Sequence, residues 1–211
     1  MSTDPAALRR EYTADGLTEE LAGSDPNALF DRWFQQAVKS AIEPNAMTLS
    51  TATRAGLPSS RIVLLKGYDS NGLVFYTNYE SRKGKEIAEN PNACLLFFWP
   101  ELERQIRIEG TLLKTSREES EVYFRSRPLE SRIGAHASVQ STVITGREVL
   151  LDRVKLVQAK YGEQIPLPEE WGGYRLKPSV FEFWQGGAAR LHDRIRFILK
   201  ENAWIRERLS P

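Results

Sequence analysis

MTLSTAT (47–53), RIVLLKGY (61–68) and LVFYT (73–77) are three short apolar runs separated by RAGLP (54–58) and DSNG (69–72), whose Gly, Pro and Asn supply turn geometry. They predict an antiparallel meander, each run a strand. Downstream, Ser81 is placed to cap a short helix running through Ala88 and stopped by Pro91, and ACLLFFW (93–99) and RQIRIEGTLLK (104–114) continue the strands. Ser116 with Glu119 forms a capping box for a helix reaching Arg125. A further helix spans 147–161 on Val149, Leu150, Val154, Leu156 and Val157, followed by an irregular PLPEEWGG loop (166–173). YRL (174–176), VFEFW (180–184), RIRFILK (194–200) and AWIRERL (203–209) close the chain as strands, the last two joined by a polar turn at 200–202.

Upstream, Asp25 followed by Pro26 is a cap and first-turn signature, and Leu29, Phe30, Trp33, Phe34, Ala37, Val38 and Ala41 then recur at helical spacing. Residues 1–24 lack steady periodicity and read as a flexible N-terminal arm with one short helical piece at 18–22. Six or more antiparallel strands with a few peripheral helices predict a mainly β (α+β) fold, a small barrel whose closure removes exposed strand edges. Residues 25–211 show neither a repeat nor a linker and read as one domain.

Lys plus Arg number 29 against 28 Asp plus Glu, so the net charge of +1 gives no general pull toward nucleic acid or an acidic membrane. Any anion site must therefore come from local clustering. No run approaches about 18 uncharged apolar residues and the N-terminus lacks an apolar signal core, which predicts a cytoplasmic protein without a membrane span. The single Cys94 excludes an internal disulfide or a multi-Cys zinc site and reads as a buried, inert thiol. The two histidines, His136 and His192, are not at helical ligand spacing, so no metal is expected. Dinucleotide, phosphate-loop, zinc-protease and nucleophile-elbow motifs are all missing.

Four segments concentrate chemistry. Arg61 and Lys66 bracket Ile62, Val63, Leu64 and Leu65; period-two alternation sends the two cations to opposite sheet faces, each either holding a phosphate or ending in solvent. Arg82 and Lys83 fall in the first turn of the Ser81-capped helix, where positive charge opposes the dipole; they read as an anion cradle or as a surface basic cluster. Tyr123, Arg127 and Ser131, four residues apart, would share one face if the helical path continued past Pro128, offering two hydroxyls and a guanidinium to a phosphate. In FWQGGAARLHDR (183–194) a strand breaks at Gly186 and Gly187, after which Arg190, His192 and Arg194 would face one side of an extended chain. Trp184 beside them reads as core or as the wall for a flat ring.

RIVLLK, FYTN (75–78), SRKGKE (81–86), RQIRIEG (104–110), YFRSRP (123–128), SRIGA (131–135), the pair Gln140 and Ser141, WGGYR (171–175) and FWQGG…RLHDR, in this order, resemble the pyridoxine (pyridoxamine) 5′-phosphate oxidase family over almost the whole chain. The resemblance implies an FMN-binding split β-barrel and a homodimer with FMN at its interface. It implies FMN contacts from Arg61, Ile62, Val63, Leu64, Leu65, Lys66, Tyr76, Thr77, Arg82, Lys83, Gln105, Gln140, Ser141, Trp184 and Arg194, some reaching across from the partner subunit. The substrate phosphate would be gripped by Lys66, Tyr123, Arg127 and Ser131, while Arg190, Leu191 and His192 meet the pyridine ring, Arg190 and His192 as catalytic residues. The segment Arg9, Arg10, Glu11 and Tyr12 matches one that folds over bound substrate and would exclude water. His136 and the pair Ala188 and Ala189 depart from the family pattern beside matched motifs.

The implied reaction is oxidation of pyridoxine or pyridoxamine 5′-phosphate to pyridoxal 5′-phosphate, with O2 as acceptor and H2O2 as product. Two other readings keep the fold: a flavin oxidase for a phenazine-type aromatic, and a non-catalytic carrier of flavin or pyridoxal phosphate.

Overall fold

The computed structural model describes Asp4, Ala6, Leu8 and residues 11–211; Arg9 and Arg10 lie outside the described residues. The strands are β1 (Ala46–Ala52), β2 (Pro58–Leu64), β3 (Gly67–Asp69), β4 (Gly72–Asn78), β5 (Asn92–Trp99), β6 (Arg104–Lys114), β7 (Trp171–Gln185), β8 (Asp193–Lys200) and β9 (Ala203–Leu209). Hydrogen bonding orders them β2-β1-β5-β6-β7-β4-β3, with β8 added to β7 and β9 to β8. The fold is mainly antiparallel β with peripheral helices, as expected. Contacts divide the chain into two compact units: Met1–Thr48 with Cys94–Glu109 and Pro178–Pro211, and Leu49–Ala93 with Gly110–Lys177. No helix among the described residues is long and apolar enough to cross a membrane.

In the first unit, α1 (Glu19–Ala22) is capped by the Thr18 side chain, which accepts from the Leu21 amide. α2 (Pro26–Ser40) starts where Asp25 accepts from the Asn27 amide. Leu29, Phe30, Trp33 and Ala37 bury one stripe of α2, whereas Val38 is exposed and Ala41 falls outside the helix as its C-cap. Trp33 meets Phe183 edge-on at 5.3 Å and Phe30 meets Phe97 at 5.5 Å. Truncating a ring so placed to Ala costs about 3–5 kcal/mol. Thr13 and Ala14 donate their amides to the Glu103 carboxylate at 2.8 and 3.0 Å, and the Leu17 amide donates to Asp193 at 2.9 Å. Arg208 reinforces this tether by donating to the Leu17 carbonyl and the Glu19 carboxylate. β8 and β9 are joined by Glu201 and Asn202 at φ 48° and 67°, the mirror-image turn that matches strand twist.

In the second unit, the run expected as one strand over 61–68 breaks. β2 stops at Leu64, Leu65 is buried, the Lys66 amide donates to the Val74 carbonyl at 2.8 Å, and β3 resumes at Gly67 opposite Val74. Strict alternation from Arg61 to Lys66 is therefore lost. β4 pairs with β7 so that Tyr76 stands opposite Gly173 and Thr77 opposite Gly172. The runs YRL and VFEFW, expected as two strands, belong to one strand of 15 residues. α3 (Arg82–Glu89) packs so closely on the preceding chain that a β-carbon at Gly84 would lie 1.9 Å from the Tyr79 carbonyl oxygen.

α4 (Arg117–Ser126) begins where Ser116 Oγ accepts from the Glu119 amide at 3.1 Å. The Glu119 carboxylate completes no capping box; it pairs with Arg175 at 3.0 Å. α5 (Leu129–Ala137) was not anticipated: Arg127 is the C-cap of α4 and Pro128, at φ −51° and ψ 149°, the N-cap of α5, so the chain leaves one helix and enters the next with no loop between. α6 (Arg147–Tyr161) has no fully buried residue, yet Val154, Val157 and Tyr161 pack on the cluster of Phe124, Ile133, Ile165 and Trp171.

Candidate functional site

A cavity of about 860 Å³ opens in the second unit. Arg61, Ile62, Val63, Leu64 and Lys66 line it from β2 and the break that follows, so the two cations expected on opposite faces border one space. Tyr76 and Thr77 reach it from β4, Lys83 from α3, Tyr123 from α4, Arg127 from that helix's C-cap, Ser131 from α5, and Gln140 and Ser141 from the loop beyond. The helical path from Tyr123 to Ser131 does not continue; the break at Arg127 and Pro128 and the new axis of α5 still bring all three to the cavity. Leu65 is buried away from it, and Arg82 is an exposed side chain that donates Nε to Glu86 at 2.8 Å.

The cations here are treated differently. Arg61 is fully engaged: Nη1 donates to the Leu49 carbonyl at 3.1 Å and Thr51 Oγ1 at 2.6 Å, while Nη2 donates to Ser59 Oγ and to Glu86 Oε2 at 3.2 Å. Burial alone would raise the Glu86 carboxyl, but hydrogen bonds from Ser59, Thr51, Arg82 and Arg61 outweigh it and hold the group down at about 2. Lys83 is buried, and its Nζ donates only to neutral oxygens: Gln140 Oε1 at 2.9 Å, Thr77 Oγ1 at 3.3 Å and Ser81 Oγ at 3.4 Å. Burial, with the nearby charge of Arg61, pushes its ammonium down to about 8.

Arg127 stands over the Trp171 ring, 4.8 Å from its centroid, and its Nη1 is buried with no hydrogen-bond partner. Burial lowers its proton affinity. Beside it, Tyr76 stacks on Tyr123 at 4.0 Å and on Trp171 at 5.5 Å, a parallel shelf of three rings. The Tyr76 hydroxyl, raised to about 12 chiefly by burial, stays protonated across ordinary pH. Trp171 is the lining residue that patterning missed. Gly134, Ala135 and Ser138 also escaped notice, because they line the cavity from and beside α5, a helix that was not foreseen.

The first unit gathers the other expected residues. Trp184 and His192 lie 4.7 Å apart between ring centroids, and Tyr12 meets both edge-on at 5.5 and 5.6 Å. Gly186 leaves room for Tyr12: a β-carbon there would lie 2.8 Å from the ring. The row of Arg190, His192 and Arg194 on one side of an extended chain does not exist. Ala188–Arg190 form a tight turn with Ala189 and Arg190 at φ 54° and 62°, since two consecutive left-handed residues curl the chain. Arg194 donates Nε and Nη2 to Glu182 Oε1 at 2.9 and 2.8 Å, and Arg107 Nη2 reaches the other Glu182 oxygen at 2.6 Å. Leu191 and Glu11 are exposed, and Gln105 is half-buried on β6. Burial raises the half-buried Cys94 thiol to about 11, which keeps it protonated and unreactive. No group of three or more His, Cys, Asp or Glu among the described residues could hold a metal ion.

An antiparallel sheet with peripheral helices thus carries a cavity bordered by Arg61, Lys66, Lys83 and Arg127 and by the stacked rings of Tyr76, Tyr123 and Trp171. Residues 34–161 match the family model described as pyridoxamine 5′-phosphate oxidase, and residues 171–211 match the pyridoxine 5′-phosphate oxidase C-terminal dimerisation region. The pyridoxine/pyridoxamine 5′-phosphate oxidases of Paraburkholderia phymatum and Pseudomonas fluorescens are 56% and 52% identical, each alignment covering 98% of both chains. A crystal structure of PhzG from Burkholderia lata in complex with tetrahydrophenazine-1-carboxylic acid is 34% identical with a TM-score of 0.87, covering 94% of this chain and 99% of that one. The chain belongs to the pyridoxamine 5′-phosphate oxidase family of oxidoreductases. The dimerisation-region match supports a homodimer.

Proposed function

We propose that the chain is an FMN-dependent oxidase converting pyridoxine and pyridoxamine 5′-phosphates to pyridoxal 5′-phosphate, with O2 reduced to H2O2. One observation carries this reading: Lys83 and Arg127 reach a single cavity with buried nitrogen groups that form no ion pair, although the charge of Glu86 acts on Lys83 from a distance. A phosphate at each supplies the missing charge and the missing hydrogen bonds. FMN therefore fits the residues present. Lys83, Thr77, Gln140, Ser141 and Arg61 are assigned to its phosphate side and Ile62, Val63, Leu64, Lys66 and Tyr76 to its body; Leu65 and Arg82, whose side chains do not line the cavity, rest on the resemblance alone. The resemblance adds Gln105, Trp184 and Arg194, shared between the subunits of a homodimer.

Lys66, Tyr123, Arg127 and Ser131 are assigned to the substrate phosphate, with Arg190, Leu191, His192 and the segment Arg9, Arg10, Glu11 and Tyr12 around the pyridine ring. When bound, FMN supplies the two-electron chemistry. The chain's part is to orient the substrate by its phosphate, exclude water and stabilise charge at the ring. With the alcohol, two electrons and two protons pass to O2, leaving the aldehyde and H2O2. With the amine, water provides the aldehyde oxygen and ammonia departs.

Aerobic incubation with pyridoxamine 5′-phosphate should yield one H2O2 per pyridoxal 5′-phosphate formed. Turnover of unphosphorylated pyridoxamine at the same rate would end the reading. The likeness to PhzG keeps a second one, oxidation of a carboxylated phenazine precursor. It predicts that Arg127→Ala leaves turnover of pyridoxamine 5′-phosphate unchanged. The greater identity to the curated B6 oxidases favours the first.

A further inference from the structure

The ring of His192 is fixed by a backbone group. Gly187 N–H donates to His192 Nδ1 at 3.1 Å, while Trp184 and Tyr12 pack on the ring. An amide N–H donates only to a free lone pair, so Nδ1 is unprotonated and the neutral ring carries its hydrogen at Nε2. Turning the ring over would set a C–H against the Gly187 amide and strand that donor. The same bond spans the turn that holds Ala189 and Arg190 at φ 54° and 62°, inside which the Leu191 amide donates to the Ala188 carbonyl at 3.0 Å. Backbone held in such a region persists only where surrounding contacts over-determine it.

We propose that His192 works as a fixed hydrogen-bond donor, presenting Nε2–H to a lone pair of the pyridine substrate, and that its Nδ1 clasps Gly187 to position Arg190. The ring is not the proton acceptor of the reaction. Nε2 already bears its hydrogen, so uptake must occur at Nδ1, where it would break the clasp and face one N–H with another. The substrate role rests on the oxidase reading; the tautomer does not.

The chain's two histidines make the test direct. In the full-length protein labelled with 15N-histidine, and in His136→Asn to leave one ring, long-range 1H–15N spectra at mildly alkaline pH should show pyridine-like Nδ1 and pyrrole-like Nε2 for His192. The reverse pattern, or averaging of the two tautomers, overturns the proposal. Kinetics give a second arm. His192→Gln brings an amide N–H to the Nε2 position but accepts no proton, so kcat/KM for pyridoxamine 5′-phosphate should stay within about tenfold of the parent, the scale of one hydrogen bond. A fall of about a hundredfold or more both in this variant and in His192→Asn, whose amide oxygen keeps an acceptor for Gly187 N–H, is what loss of a general base produces and overturns it. If the spectrum shows the Nε2–H form and no B6 phosphate is oxidised, the function fails and the tautomer stands.

Discussion

Glu182 and Lys83 are both buried charges, and the molecule handles them in opposite ways. Glu182 is 2% exposed and receives Arg107 and Arg194 on its two oxygens. Lys83, 9% exposed, has three neutral oxygens and no carboxylate. A paired charge holds structure whether or not a ligand also reaches it; a buried charge with no ion pair is the stronger mark of a binding site. The lesson extends to Arg61 and Arg127, one held by Glu86 and three oxygens, the other with a nitrogen no group meets.

The contrast breaks first at Glu182. Replacing it with Leu leaves Arg194 without a carboxylate and Arg107 with only the partly exposed Glu109, and should lower stability by about 2–3 kcal/mol, discounted because both arginines are partly exposed. Thermal or urea unfolding measures this, and an unchanged midpoint would show that the paired region is not held by its charges.

At Arg127 the expected effect moves from stability to binding. Arg127→Ala removes a guanidinium whose Nη1 serves no protein group, so the melting temperature should barely change while KM for pyridoxamine 5′-phosphate rises about 10- to 100-fold. Loss of stability with unchanged KM would make Arg127 a packing residue on Trp171.

For Lys83 the signature is a pH dependence. Its folded value of about 8 lies below the ordinary 10.5, so between those limits the unfolded chain binds more protons and ligand-free stability should rise with pH. Below about 8 both states are protonated and the slope from this group vanishes. Lys83→Met should abolish the rise, and added FMN or inorganic phosphate should flatten it in the parent by favouring the ammonium.

The smallest effect belongs to the exposed network at the N-terminal tether. Arg208→Ala removes pairings with Glu19 and Asp193 that face solvent and should shift the melting point by only about a degree or two.

Much of this was legible in the sequence because local signals and tertiary packing agreed. Asp25 with Pro26, Ser81 and Ser116 start helices where their chemistry says they should, and the apolar runs from Met47 onward became strands. Three features were not legible. Pro128 looked like a terminator, yet at φ −51° it also initiates α5, a choice set by what Ile133 and Ala137 bury. The break at Leu65 depends on where Leu65 finds a core, which spacing along one strand cannot show. The curl at Ala189 and Arg190 was hidden because neither residue is Gly or Asn, and only the Gly187 clasp reveals why the backbone accepts it. Charge pairing was invisible for the same reason: Glu182 meets Arg107 across 75 residues of chain, and Lys83 meets Gln140 across 57.

The closeness of α3 to Tyr79 sets a limit on variation. With 1.9 Å available at Gly84, even one methyl group has nowhere to go but into a peptide carbonyl, and moving the helix start would drag Lys83 with it. A saturation library at that codon should return glycine almost alone among active clones, whereas Gly134, whose β-carbon would meet nothing within 4 Å, should tolerate alanine.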